Sequence, residues 1–152
     1  MAGEVTDLVP SANVIEAAVS SALQSPCQSK RGAVLFRGLN VYSRGHNRQV
    51  SPFVCDGSGR CKASCRHTAV HAEQMALLGC GDLSGGMDIL HVKVLGGVLV
   101  PSGPPSCTQC SKLIVESGLV CGVWLFHADG WRRYGVTEFH MLSVQAMPMV
   151  GP

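Results

Sequence analysis

At 152 residues the chain is long enough to bury roughly two-thirds of its unfolded surface, which fits one domain over 1–152 with short tails at the start and at 147–152. Hydrophobic residues make up 46% and charged residues only 14%, so some apolar surface is expected to be hidden between the subunits of a homo-oligomer. A net charge of +2 with no long basic run gives no electrostatic footprint for nucleic acid.

The segment Met1 to Pro10 carries Glu4 and Asp7 and has neither a basic nor an apolar stretch of the secretory kind. No window approaches the roughly 18 to 20 apolar residues that a membrane span needs. The eight cysteines are therefore read as metal ligands or small core residues in a reducing, cytoplasmic setting, with no membrane partner. Val14, Ile15, Ala18, Val19 and Leu23 recur at helical spacing behind Ser11 and Asn13, which predicts a helix from about Ala12 to Leu23, ended by Pro26. Gly32–Phe36 and Asn40–Ser43 are short β-rich runs joined as a hairpin through Arg37-Gly38-Leu39.

From Asn47 to Arg66 periodicity vanishes and Gly, Ser, Pro, Cys and basic residues accumulate, the mark of a long loop that is functional or held by something. A helix from about Ala69 to Leu78 follows, then an apolar strand from Ile89 to Leu95 expected to continue to Val100 through Gly96-Gly97. Pro101–Pro105 is a loop, Cys107–Ser117 a helix, Leu119–Phe126 a second apolar strand, Thr137–Gln145 a final helix and Pro148–Pro152 a tail. Helices alternating with strands in this way imply an α/β sandwich, a mixed sheet with helices on both faces.

Two segments carry the chemistry. His71-Ala72-Glu73 opens one predicted helix, and Cys107-Thr108-Gln109-Cys110 opens another. One imidazole and two thiolates are three good zinc ligands, and a site that supplies only three leaves the fourth tetrahedral position open, which is the arrangement of catalytic zinc. His71 and Glu73 do not share a helix face, but side chains of a first turn lean toward its N-terminal end, where both can converge. Glu73 is then placed as the acid–base group, and the dipole of the second helix favours thiolate at Cys107 and Cys110.

These residues resemble the cytidine and deoxycytidylate deaminases, most closely the deoxycytidylate-type branch. The similarity runs from about Ser25 to Tyr134 and includes Lys30-Arg31-Gly32-Ala33-Val34, Gly45-His46-Asn47, His71-Ala72-Glu73-Gln74 and Cys107-Thr108-Gln109-Cys110-Ser111-Lys112-Leu113-Ile114. It implies a five-stranded mixed sheet, zinc on His71, Cys107 and Cys110, and hydrolytic loss of ammonia from a cytosine-type ring, with Glu73 moving the protons. By the same resemblance Asn47 stands where a sugar contact would, with Arg48 and Ala72 as further substrate-binding positions. Two departures are visible: Ser106 separates Pro105 from Cys107, and Arg48 replaces a glycine of the branch.

Cys55, Cys61, Cys65 and His67 offer a second, structural zinc that would order the long loop, with Cys27 as a replacement ligand. Cys80 and Cys121 are read as core residues. His46, His91, His127 and His140 are read as surface or hydrogen-bonded histidines, with His127 placed to line a pocket, and Phe126 or Trp124 as a ring for stacking on a base or as core. The expected partner is a small pyrimidine nucleoside or nucleotide. The alternatives are free cytosine or another aminopyrimidine, then a polynucleotide, for which 5% aromatic content is a poor platform, and last a zinc module without catalysis.

Overall fold

The computed structural model describes residues 9–59, 65 and 67–148. Its elements, in chain order, are α1 (Ala12–Leu23), β1 (Lys30–Arg37), β2 (Asn40–His46), β3 (Arg48–Gln49), β4 (Ala69–Val70), α2 (Ala72–Leu78), β5 (Met87–Leu95), β6 (Val98–Val100), α3 (Thr108–Ser117), β7 (Val120–His127), β8 (Gly130–Gly135) and α4 (Val136–Gln145). The main sheet runs β2-β1-β5-β7-β8, with β6 added beside the end of β5. The β5–β7 pair is parallel and the other neighbours are antiparallel, so the sheet is mixed, as the sequence implied.

Alternation along β1 and β5 divides the core. Val34, Phe36, Leu90, Val92 and Val94 face α1, where Val14, Ala18 and Ala22 meet them. Ala33, Leu35, Ile89 and Leu125 face the other way, against Ala72, Ala76, Cys110, Ile114 and Phe139 of α2, α3 and α4. Leu35, Ile89 and Leu90 are wholly buried, each worth about 1.5–3 kcal/mol of transfer free energy. The result is three layers, and helices do cover both faces.

Several expected elements need correction. Ala69 and Val70 are strand rather than helix: they pair with Gln49 and Arg48, and the helix starts only at Ala72. Residues 98–100 do not prolong β5, because Gly96 and Gly97 take φ of +59° and +80° and turn the chain back, so that Val98 to Val100 pair with Leu95 to Lys93. β8 was not foreseen. It follows a tight Ala128-Asp129 turn, and Arg133 on it donates to Asp88 Oδ2 and Oδ1 at 2.8 and 2.9 Å, tying the edge strand to β5. Cys121 is exposed rather than core, because the β5–β7 register slips there between Met87↔Val120 and Asp88↔Gly122. No helix among the described residues is long and apolar enough to cross a membrane.

Candidate active site

The β3–β4 ladder keeps the chain extended up to His71, which precedes α2 with φ −78° and ψ 157°. Gln74 Oε1 accepts the His71 amide at 2.9 Å, and His71 O accepts the Met75 amide at 3.0 Å, so the residue is clamped where the helix begins. α2 can lie close on the sheet because Gly45 has no side chain: a Cβ there would collide with Ala72 O and Ala76 N. Cys107 holds the equivalent place before α3, and Cys110 lies in the first turn of that helix.

These two helix starts meet. His71 Nδ1 is 3.1 Å from Cys110 Sγ and 3.3 Å from Cys107 Sγ, and the three donor atoms all lie within 4.8 Å of one another. Tetrahedral zinc, with bonds of about 2.0–2.1 Å to nitrogen and about 2.3 Å to sulfur, separates such donors by about 3.6 Å. The two nitrogen–sulfur distances need to open by only a few tenths of an ångström, and two thiols and one imidazole are the donor chemistry zinc prefers. The residues therefore fit the ion.

The trio's electrostatics already favour an anion. A hydrogen bond from Cys110 brings the Cys107 thiol down to about 4 from an ordinary 9.0, against burial, with help from His71. Cys110 is raised by sharing its proton with Cys107, then by burial and the charge of Glu73. Two thiols thus hold one proton, which a cation would displace.

Glu73 is buried at 8% exposure among these groups. Burial pushes its carboxyl up, but His91, a hydrogen bond from Cys110 and His71 together outweigh that and hold it below the usual range. His91, read from the sequence as a surface or hydrogen-bonded histidine with no place in the site, is buried, and its Nε2 stands 3.6 Å from Glu73 Oε1. Burial holds His91 below its ordinary pKa although the Glu73 charge opposes it. Its buried Nδ1 has no hydrogen-bond partner among the described residues, a cost of about 1–3 kcal/mol.

Other expected site residues are distributed more widely. Asn47 spends its side chain on the scaffold: Oδ1 accepts the Arg31 amide at 2.9 Å, and Nδ2 donates to Ser29 O at 2.7 Å. Arg48 is exposed, donates from Nε to Met75 Sδ at 3.3 Å, and lines a cavity of about 300 Å³ with Pro26, Gln49, Phe53 and Cys55. Ala72 is wholly buried. Register places Arg31 and Lys93 opposite each other, on the sheet face that carries Ala33 and His91. Trp124 lies on the α1 face and donates to Asp88 at 2.8 Å, and Phe126 packs on Trp131, so neither ring meets Glu73. His127 Nε2 lies 2.8 Å from the Tyr134 hydroxyl, and His140 Nδ1 lies 2.7 Å from Ser111 Oγ.

A second group of donors forms around Cys27, just before β1. Cys27 Sγ is 2.9 Å from Cys55 Sγ and 4.0 Å from Cys65 Sγ, and Cys55 and Cys65 are 3.4 Å apart. Cys27, foreseen only as a replacement, is thus central, while exposed His67 is not one of the grouped donors. Cys61 lies outside the described residues.

No protein-family model matches the chain, and no curated protein matches it. Solved structures do. The cytidine deaminase of Burkholderia pseudomallei is 22% identical over 83% of this chain and 92% of its own, with a TM-score of 0.56. The dCMP deaminase of cyanophage S-TIM5 in its apo form is 22% identical over 72% of this chain and 76% of its own, with a TM-score of 0.52. The same enzyme in complex with dCMP and dUMP gives 21% over 76% and 82%, at 0.51. This chain has the fold of the cytidine and deoxycytidylate deaminases. The fold that the motif resemblance implies and the architecture of the sheet therefore agree.

Proposed function

We propose that this protein is a zinc-dependent hydrolase that converts the cytosine-type ring of a free nucleoside or nucleoside monophosphate to the uracil form with release of ammonia. The observation that carries the reading is Glu73, buried within reach of the donor trio His71, Cys107 and Cys110, in a chain with a deaminase fold. A zinc ion on that trio would supply a Lewis acid that lowers the pKa of water to about 7. Glu73 accepts the proton of the attacking water and delivers it to ring N3, then assists departure of the amino group. One carboxyl group serves each proton transfer because the reaction adds water and releases ammonia with no net gain of protons. Burial of Glu73 keeps bulk solvent from competing for that proton.

Deoxycytidylate stands slightly ahead of the nucleosides as substrate. Arg31 and Lys93, half-buried on the face of His91, and Arg48 beside Asn47 are the cations placed to meet a 5′-phosphate. A polynucleotide is disfavoured because Trp124 and Phe126 are turned away from Glu73. A purely structural zinc module has no use for a buried carboxylate at that position.

The thiols of Cys27, Cys55 and Cys65 are proposed to hold a second, structural zinc, and a reducing compartment such as the cytoplasm would keep them available. The protein is further proposed to be a homo-oligomer. Leu77, Leu78, Leu113 and Val70 line an apolar groove of about 520 Å³ between α2 and α3, with Leu78 84% exposed. Incubation with cytosine, cytidine, deoxycytidine and the monophosphates, followed by ammonia release, tests the activity. Failure on every compound would overturn the deaminase reading.

A further inference from the structure

Resting on that reading, we infer that His91 is a positioning residue that fixes the orientation of Glu73 once the metal ligands are engaged. Cys110 is one of the donors that would hold the ion, and a cysteine that ligates zinc does so as thiolate, with no hydrogen to give a neighbouring carboxylate. His71 is likewise committed through Nδ1. Among the described residues, His91 is the remaining side chain bearing on Glu73 that is not one of the donor trio, and its Nε2 already faces Oε1 at 3.6 Å. A catalytic carboxylate must keep one oxygen aimed at the water and the ring while the other is held, and a donor at Nε2 does this.

The placement is built into the sheet. Residue 91 stands on β5 between Ala33 on β1 and Leu125 on β7, and the small Ala33 leaves room beside it for an imidazole. An imidazole that turns an N–H at Nε2 toward the acceptor at Glu73 needs no donor at Nδ1, the buried nitrogen that has no partner among the described residues. An aliphatic side chain would pack there without that orphan. The histidine is explained by what it does for Glu73.

Three variants of the zinc-loaded, full-length protein test the inference. Glutamine can bring its amide nitrogen to the Nε2 position, asparagine reaches only as far as Nδ1, and leucine offers no donor. His91→Leu and His91→Asn are expected to lower kcat by about 10- to 100-fold with KM within about 2-fold, and His91→Gln to retain at least about a third of kcat. Zinc content should be equal in all four proteins. In a Glu73→Gln background, His91→Leu should cause no further loss, because the two side chains act as one unit. Full kcat in His91→Leu or His91→Asn would overturn the inference while leaving the deaminase reading intact, as would equal losses in all three variants or independent, multiplicative losses with Glu73→Gln. Should the leucine variant fail to fold, the contrast of His91→Gln with His91→Asn decides alone. No ammonia release from the unsubstituted protein would overturn the deaminase reading and this inference with it.

Discussion

Cys27 and Cys55 bring their sulfur atoms to 2.9 Å of each other although 28 positions separate them. The approach joins the turn after α1 to the loop after β3, and Cys27 Sγ is also 3.7 Å from Asn47 O. Freshly purified protein should therefore carry about two zinc ions per chain. Cys27→Ser should remove one of them and lower the melting temperature by several degrees, since metal binding to such a site is folding free energy. Metal analysis with a thermal scan is the check, and a stoichiometry of one in the unsubstituted protein would sink the second site.

Glu73→Gln should cut turnover by about 10²- to 10⁴-fold with zinc and melting temperature unchanged, because the amide keeps the carboxyl group's shape but cannot accept a proton. Steady-state ammonia release beside metal analysis decides it. Substantial turnover in this variant would take Glu73 out of the mechanism.

The clustering of His71, Cys107 and Cys110 was legible because each half is a short-range pattern at the start of a helix, and helix starts in an α/β sheet gather at one edge. Proximity set by strand register was not legible. In Ile89-Leu90-His91-Val92 every neighbour of the histidine is apolar, so the sequence offers no sign of which side of the sheet it faces; only the pairing of His91 with Ala33 and Leu125 turns it toward Glu73. Cys27 joins Cys55 through the chain's return along β1 and β2, which spacing within the loop could not disclose. β8 did leave a signal, the Asp129-Gly130 pair followed by Trp131 and Tyr134, but its alternation with Arg132 and Arg133 obscured the strand.

Metal-stripped protein should show an unusually reactive Cys107. Its thiol pKa is about 4 against an ordinary 9.0, so it is already thiolate at pH 6, and its alkylation rate should be nearly flat from about pH 5.5 to 8. An ordinary thiol would speed up about tenfold per unit over that range. Iodoacetamide labelling mapped by mass spectrometry checks this, and zinc should suppress it. A rate at Cys107 that climbs tenfold per unit would show that Cys110 does not share its proton as described.

The groove between α2 and α3 predicts an assembly. Light scattering at micromolar concentration should give a multiple of 16.0 kDa, and Leu78→Glu with Leu113→Glu should reduce it to the single chain, because two carboxylates cannot be buried unpaired in an apolar contact. A clean single-chain mass for the unsubstituted protein would count against this face as an interface.

Recognition of a 5′-phosphate separates Arg48 from Arg31. Arg48 is exposed and rests its guanidinium on Met75, whereas Arg31 stands opposite Lys93 on the face of His91, where two like charges across an antiparallel pair are unfavourable unless an anion lies between them. For a monophosphate substrate, kcat/KM should exceed that of its nucleoside. Arg31→Ala should shrink that ratio by about 10-fold or more, the scale of one charge-assisted contact, while leaving the nucleoside within about 2-fold; Arg48→Ala should have the smaller effect. If Arg48→Ala carries the loss instead, the phosphate lies over the cavity beside Cys55 and not over the sheet. Equal rates on nucleoside and monophosphate, indifferent to both substitutions, would mean that the ring is recognised without its phosphate and that the charges on β1 and β5 serve only the scaffold.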